Sequence, residues 1–299
     1  MAERRMIMKA SWTLYGTGVL MAVLGLAVGA SIAASPPTDP VTPAGPGVLN
    51  FKPIGNVAIV QPAGTPTSVA IFLSGDGGWN SGVVDMANGL AKTGALVLGV
   101  NTPAYIKRTD AIPNERCHSV AVDLQMLAQF VQKRQAFKEY MQPVLVGYSS
   151  GATLAYIAAA QSPASFKGAI SLGFGPELYN KKPYCKSIGL KSHPNGKDSG
   201  YIVEPSATLG APWVVLQGLQ DQVASADQTR AFVAQTHGAT LVELPKVGHG
   251  YSVYRNWWPQ FEQAYRAMAS ALPPEHPGDS SEQPCCQFQR ERSAPGQRG

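Results

Sequence analysis

A short apolar strand, a glycine-flanked serine and an alanine-rich helix follow one another at residues 143–161, and this order constrains the fold more than any other feature. The apolar run Val144–Val146 enters the pattern Gly147-x-Ser149-x-Gly151. A sharp turn crowds any side chain beside it, so glycines at both ends leave room for the backbone. The pattern predicts a nucleophile elbow, with a serine hydroxyl exposed at the end of a sheet strand. A strand-to-helix turn with an idle serine is the alternative.

Strand-like and helix-like segments alternate on both sides of this elbow. Apolar runs and turn signals predict strands over residues 57–61, 68–74, 95–100, 144–146, 168–172, 213–217 and 240–244. Helical spacing predicts helices over residues 80–93, 120–134, 150–161, 226–236 and 257–271. The alternation indicates an α/β protein with a mostly parallel sheet that helices cover on both faces.

The N-terminus has the three parts of an export signal. Arg4, Arg5 and Lys9 precede an apolar stretch from about Leu14 to Ala30, and small residues follow. This order predicts a signal peptide over residues 1–34, and it places the remaining chain in the periplasm of a cell with two membranes. An uncleaved membrane anchor is the alternative.

Composition divides the remaining chain into three parts, the second of which contains an irregular segment. Residues 35–47 are rich in proline and predict a linker, and residues 48–272 predict one folded α/β domain. Within this domain, residues 175–210 lack sustained periodicity and predict either a lid insert or a plain surface excursion. Residues 273–299 are rich in Pro, Gln, Ser and Arg and predict a disordered tail.

Charge and cysteine content exclude several classes of protein. The chain is 44% hydrophobic with a net charge of +5, and it has no block of Lys and Arg in the domain, so we expect no nucleic-acid partner. The mild positive charge is compatible with an anionic lipid surface. Cys117 and Cys185 form either a disulfide, which an exported protein permits, or two separate thiols. No Cys or His spacing is typical of a metal site, so we predict neither a metal nor a cofactor.

A serine hydroxyl is a weak nucleophile at neutral pH, so the elbow needs a base. Of the five histidines, His249 directly follows the last predicted strand, in a loop flanked by glycines. The carboxyl ends of parallel strands meet at one edge of a sheet, so we expect His249 and Ser149 at the same edge. The sequence indicates structural or terminal positions for the others, which are His118, His193, His237 and His276.

The base in turn needs a carboxylate that orients it. Six carboxylates lie between the serine and the histidine: Glu177, Asp198, Glu204, Asp221, Asp227 and Glu243. Asp221 follows strand 213–217 after a short loop, which places it at the same sheet edge. We therefore predict that Asp221 orients His249, with an ordinary turn aspartate as the alternative.

The loop Ser74-Gly-Asp-Gly-Gly-Trp79 follows an early strand and is predicted to complete the site. Together with the amide of Ser150, the amide of Asp76 is expected to hold the oxyanion of an ester substrate. A carboxylate beside an oxyanion is unfavourable, so the Asp76 side chain must point away or meet a cation of the substrate. Trp79 is either a core residue or a platform for such a cation.

Four motifs resemble the VirJ/AcvB family of bacterial virulence proteins within the α/β-hydrolase superfamily: residues 74–79, 144–153, 169–173 and 247–250. The resemblance implies an α/β-hydrolase fold with Ser149, Asp221 and His249 as catalytic triad. It also implies a periplasmic enzyme that hydrolyses the aminoacyl ester of aminoacylated phosphatidylglycerol, chiefly the lysyl form, at the membrane surface. The family is linked to virulence and type IV secretion, which implies secretion-system proteins as partners.

The same motifs suggest four substrate-binding residues, which are Asp76, Gly77, Trp79 and Tyr148. Two other functions stay open. The first is a periplasmic esterase or peptidase with another acyl substrate. The second is a virulence or secretion factor that binds proteins and retains a hydrolase scaffold, since fold alone does not establish function.

Overall fold

A computed structural model describes residues 47–196 and 200–271 of the chain. The predicted signal peptide, residues 35–46 of the predicted linker and the predicted tail lie outside the described residues. Asp198 and His276 lie outside them as well.

The described strands are β1 (Val48–Phe51), β2 (Gly55–Val60), β3 (Ser68–Leu73), β4 (Ala95–Val100), β5 (Val144–Tyr148), β6 (Gly168–Leu172), β7 (Glu177–Leu178), β8 (Ser192–Pro194), β9 (Tyr201–Val203), β10 (Trp213–Gly218) and β11 (Ala239–Leu244). The described α-helices are α1 (Ser81–Ala91), α2 (Thr102–Asp110), α3 (Val120–Arg134), α4 (Ser150–Gln161), α5 (Ala226–Ala234) and α6 (Trp258–Ser270).

Eight of these strands form one sheet in the order β1-β2-β4-β3-β5-β6-β10-β11. β2 runs antiparallel to β1 and β4, and the other pairings in this sheet are parallel. This strand order, with an antiparallel second strand and helices on both faces, is that of the α/β-hydrolase fold, which confirms the predicted fold class. β5 is central, so the serine turn that follows it lies in the middle of the edge where parallel strands end.

Two apolar cores cover the two faces of the sheet. Side chains alternate along a strand, so on β3 Ile71 packs in one core and Phe72 in the other. The first core includes residues of α3, α4 and α5, and the second includes residues of α1 and α6. α4 is buried from Gly151 to Ala160, which explains why most of its residues are small and apolar. Within the described ranges, none of the helices combines the length and hydrophobicity that a membrane span requires.

Helix α2, which shapes one side of the candidate site, is not apparent from the sequence pattern. Its start is marked by Asn101, whose side chain accepts a hydrogen bond of 3.1 Å from the amide of Ala104, and by Pro103 in the first turn. The helix is short and polar, and its buried side chains are few, which is why helical periodicity did not reveal it.

The predicted irregular segment 175–210 contains a small antiparallel sheet in the order β7-β9-β8. A disulfide between Cys117 and Cys185 ties this segment to the loop before α3. Tyr156 of the buried helix α4 donates a hydrogen bond of 2.9 Å to the carbonyl of Glu204. The disulfide and this hydrogen bond therefore attach the segment to the rest of the domain.

His118 lies beside this disulfide in a buried polar cluster. Its Nε2 is 2.8 Å from the Tyr105 hydroxyl and 2.9 Å from Asp123, and its Nδ1 is 3.0 Å from Glu115. Burial alone would lower the pKa of His118, but the hydrogen bonds with Asp123 and Glu115 outweigh burial and raise this pKa. Lys182 of the insert also binds Glu115, at 3.1 Å, so the cluster helps hold the insert in place.

Candidate active site

Ser149 stands in the sharp turn that its glycines predict. Its φ is 54° and its ψ is −123°, a region that residues with a side chain rarely occupy. A Cβ on Gly147 would lie 2.0 Å from the carbonyl oxygen of Gly151, and one on Gly151 would lie 2.2 Å from that of Leu73. The neighbouring backbone leaves no room for a side chain at either position, so both residues must be glycine. The turn places the serine hydroxyl above the edge of the sheet.

The structure brings Ser149, His249 and Asp221 together in one chain of hydrogen bonds. Nε2 of His249 is 3.0 Å from Oγ of Ser149, and Nδ1 of His249 is 2.8 Å from Oδ2 of Asp221. His249 follows β11 and Asp221 follows β10, and Ser149 follows β5. The three residues are far apart in sequence but meet at the same edge of the sheet. A histidine held in this way can take the serine proton through Nε2 while Nδ1–H faces the carboxylate.

Three donors hold the carboxylate of Asp221, whose side chain is fully buried. Oδ2 accepts from His249, and Oδ1 accepts from the amides of Val223 and Ala224 at 2.8 Å each. Burial would raise the pKa of Asp221, but these three hydrogen bonds and the nearby His249 hold the pKa below its ordinary value. Asp221 is therefore an ionised, fixed partner for the imidazole at neutral pH.

The loop that carries His249 is anchored from two sides. The Tyr148 hydroxyl donates a hydrogen bond of 2.9 Å to the carbonyl of His249. Burial, and then the negative charges of Asp221 and Asp76, raise the pKa of Tyr148, so this phenol stays protonated and able to donate. On the other side, the Tyr251 hydroxyl donates to the carbonyl of Leu216 at the end of the sheet. Tyr148, predicted to bind substrate, here positions the histidine loop.

The loop after β3 lies directly against the serine. A Cβ on Gly75 would lie 3.0 Å from Cβ of Ser149, so only glycine lets the loop approach this closely. Within the described residues, the amides of Asp76 and Ser150 donate no hydrogen bond. The Ser150 amide is free because the first amides of a helix have no intrahelical partner. Asp76 and Ser150 line the same pocket as Ser149, so both amides are available as donors for an oxyanion hole.

A pocket of about 230 Å³ opens over the serine. Its lining includes Ser149, His249, Asp76 and Glu177, the last from strand β7 of the insert. The carboxylates of Asp76 and Glu177 have no ion-pair or hydrogen-bond partner in the described parts of the chain. Among its described lining residues the pocket contains neither Lys nor Arg, so its charge favours a cationic ligand. We call this the catalytic pocket.

Three of the four predicted substrate-binding residues do not line the catalytic pocket, namely Gly77, Trp79 and Tyr148. The Trp79 ring packs on the sheet, where a Cβ on Gly99 would lie 2.0 Å from it, and it meets Phe72 edge to face with 6.1 Å between ring centroids. Trp79 thus takes the core position that the sequence left as one of two alternatives. Gly77 lies next to Asn80, the N-cap of α1, where a Cβ would meet the amide nitrogen at 2.6 Å.

Sequence reasoning missed two residues of this site. Gly173 directly follows β6 with φ of 64°, and a Cβ there would lie 3.3 Å from both Asp221 Oδ2 and His249. A glycine at the end of a parallel strand was the available signal. Glu177 was weighed only as a partner for the histidine, because its place on the pocket wall depends on the path of the insert.

A metal site is absent from the part of the chain that the structure describes, since no three His, Cys, Asp or Glu side chains there are grouped closely enough. Ser149, His249 and Asp221 have the geometry that nucleophilic catalysis by a serine requires.

Comparison with known proteins relates one part of the chain to a family. Residues 67–173 match the family model described as "Bacterial virulence protein (VirJ)". No curated protein sequence matches the chain.

Several solved structures have a similar fold. Est1E from Butyrivibrio proteoclasticus is 15% identical with a TM-score of 0.49, and the match covers 75% of this chain and 99% of that protein. XC6422 from Xanthomonas campestris, an α/β serine hydrolase without lid, is 20% identical with a TM-score of 0.46, covering 77% of this chain and 95% of that one. None of these TM-scores reaches 0.5, so we draw nothing about activity from them.

The matched segment contains the loop after β3, the serine elbow and the end of β6, which are three of the four motifs that carried the predicted resemblance. The chain has the α/β-hydrolase fold. Its predicted resemblance to the VirJ family of bacterial virulence proteins is confirmed over residues 67–173.

Proposed function

We propose that the chain is a periplasmic serine hydrolase that cleaves the aminoacyl ester of an aminoacylated phosphatidylglycerol, with the lysyl form as its main substrate. The observation that carries the proposal is the continuous hydrogen-bonded chain from Ser149 through His249 to Asp221, with distances of 3.0 and 2.8 Å. An idle serine would need neither the strained turn nor a buried carboxylate behind the histidine.

In this proposal, Oγ of Ser149 attacks the ester carbonyl while Nε2 of His249 takes its proton. The amides of Asp76 and Ser150 stabilise the oxyanion. His249 then returns the proton to the leaving alcohol, which is phosphatidylglycerol, and an aminoacyl-serine ester remains. Water, deprotonated by His249, cleaves this ester, releases the amino acid and restores the serine hydroxyl.

The charge of the catalytic pocket supports a cationic acyl group. A lysyl ester carries two ammonium groups, and the pocket presents two unpaired carboxylates, those of Asp76 and Glu177. An ammonium that meets Asp76 also removes the repulsion between this carboxylate and the oxyanion. The pocket is thus better suited to an aminoacyl ester than to a neutral or anionic acyl group.

The disulfide supports the proposed compartment. A bond between Cys117 and Cys185 forms and persists in oxidising surroundings, such as the bacterial periplasm, and is rare in the cytosol. The predicted signal peptide agrees with this compartment but lies outside the described residues.

The test compares lysyl-phosphatidylglycerol with a neutral acyl ester of glycerol in the wild type and in Asp76→Asn. The substitution keeps the backbone amide and removes only the charge. We expect the ratio of kcat/KM for the lysyl lipid over the neutral ester to fall about tenfold, since a hydrogen bond to a charged group contributes about 1.5–3 kcal/mol. Asp85→Asn, an exposed carboxylate on α1, serves as the matched control and leaves this ratio unchanged.

An equal loss for both esters in Asp76→Asn would rule out pairing with the ammonium. Cleavage of neither ester by folded wild-type protein would rule out the hydrolase and favour a protein-binding factor on a hydrolase scaffold.

A further inference from the structure

A second pocket of about 460 Å³ adjoins the catalytic pocket. The two share three lining residues, Asp76, Leu178 and Tyr179, so a ligand bound at the serine can extend from one into the other. The second pocket lies between helix α2 and the insert, and its remaining lining includes Lys107 and Lys181. We call it the lysine pocket.

The two lysines of this pocket lack the hydrogen-bond partners that the neighbouring cationic side chains have. Arg108 donates to the carbonyl of Ala104, and Lys182 binds Glu115 and two backbone carbonyls. The ammonium groups of Lys107 and Lys181 have no partner within the described ranges, although both residues line a pocket. Two unpaired positive charges at one concave site favour an anionic ligand.

The backbone around Lys181 is fixed. Oδ1 of Asp110 accepts hydrogen bonds from the amides of Lys181 and Lys182, at 2.9 and 3.2 Å. Two carboxylates line the lysine pocket, and Asp110 is the one that does not also line the catalytic pocket. The other carboxylate, Asp76, stands on the shared wall. With Asp110 counted, the part of the lysine pocket that is not shared carries two positive charges and one negative charge, a net charge of +1, and the shared wall carries the negative charge of Asp76.

We propose that the lysine pocket binds the phosphodiester of the substrate's alcohol while the aminoacyl group occupies the catalytic pocket. The proposal rests on the hydrolase function proposed above and adds the part of the substrate that distinguishes a phospholipid ester from other aminoacyl esters. The substrate then spans a charge-separated groove, with its ammonium at Asp76 and its phosphate between Lys107 and Lys181. The exposed ring of Tyr179, 58% accessible, forms the shared rim over which the glycerol passes.

The kinetic test uses two soluble lysyl esters, lysyl-glycerophosphoglycerol and lysyl-glycerol, which differ in the glycerophosphate group that supplies the phosphodiester. In the double variant Lys107→Ala/Lys181→Ala we expect the ratio of kcat/KM for the first over the second to fall about 25-fold, about fivefold for each charge. Lys186→Ala removes a charge from the same insert but lines neither pocket, and it leaves the ratio unchanged. An unchanged ratio in the double variant would overturn the proposal.

A binding test separates this proposal from the hydrolase function. Ser149→Ala protein is titrated calorimetrically with glycerophosphoglycerol and with inorganic phosphate, with and without the two lysine substitutions. Binding of glycerophosphoglycerol that the lysine substitutions abolish supports the lysine pocket even if no ester is cleaved. Equal binding with and without the lysines, or binding of inorganic phosphate alone, would overturn it.

Discussion

Replacement of Asp221 by Asn tests how the carboxylate controls the proton on His249. The asparagine oxygen can face either the two amides of Val223 and Ala224 or the ring nitrogen of His249. If the oxygen faced His249, the amide NH2 would point at two backbone donors and leave both buried and unpaired. Each unpaired buried donor costs about 1–3 kcal/mol, so the oxygen faces the amides.

The asparagine NH2 then donates to Nδ1 of His249 and fixes the proton on Nε2. In this tautomer Nε2 points a hydrogen at Ser149 and cannot accept the serine proton. Substitution of this kind in a serine triad lowers kcat about 10⁴-fold, and we expect the same order here. The two retained amide bonds keep the loop in place, so the free energy of unfolding falls by only about 1–3 kcal/mol.

The assay measures kcat with a chromogenic ester and the unfolding midpoint in urea for wild type, Asp221→Asn and Asp227→Asn. Asp227 is an exposed carboxylate in the first turn of α5, where it pairs with Arg230, and its substitution serves as the control with nearly normal kcat. A loss of less than tenfold in folded Asp221→Asn would refute the orienting role of the carboxylate. An unfolded Asp221→Asn protein would refute the estimate that the amide bonds survive.

Three further predictions concern stability. Gly151→Ala places a Cβ 2.2 Å from the backbone oxygen of Leu73, so we expect a loss of about 3 kcal/mol or more in thermal unfolding, and a melting temperature within 2 °C of wild type would contradict this. His118 has a raised pKa, so its protonated form stabilises the fold below pH about 6.5 and this contribution is lost as the pH rises through the folded value. The stability difference between wild type and His118→Gln in urea should therefore shrink from pH 6 to pH 9, and a difference independent of pH would be evidence against a charged histidine. The disulfide closes a separation of 68 residues, so Cys117→Ser/Cys185→Ser should lose about 4 kcal/mol, which an unchanged urea midpoint would disprove.

The residues that converge on the serine could be predicted from the sequence because they follow strands directly. Parallel strands end at one edge, so a residue that comes just after a strand has a known place without any knowledge of the loops. Ser149 follows β5, Asp221 follows β10 after a short loop, and His249 follows β11. The order of apolar runs also gave the helix bounds closely, with α3 at the predicted residues 120–134.

The walls of the two pockets could not be predicted in this way. Strands β7, β8 and β9 have two or three residues each, which is too short for alternation to show in the sequence. Glu177 and Lys181 reach the site through the path of this insert, which depends on a disulfide and on contacts with α2. The sequence leaves Trp79 as either a core residue or a cation platform and suggests Tyr148 for substrate binding, and their tertiary contacts give both of them supporting positions.

The most direct measurement of the central claim is covalent labelling by a fluorophosphonate, followed by peptide mass spectrometry. An activated serine at the elbow predicts a single adduct on Ser149 in wild type, none in Ser149→Ala, and strongly slowed labelling in His249→Ala. Folded wild-type protein that stays unlabelled, or an adduct that persists in Ser149→Ala, would contradict the claim that His249 and Asp221 make this hydroxyl nucleophilic.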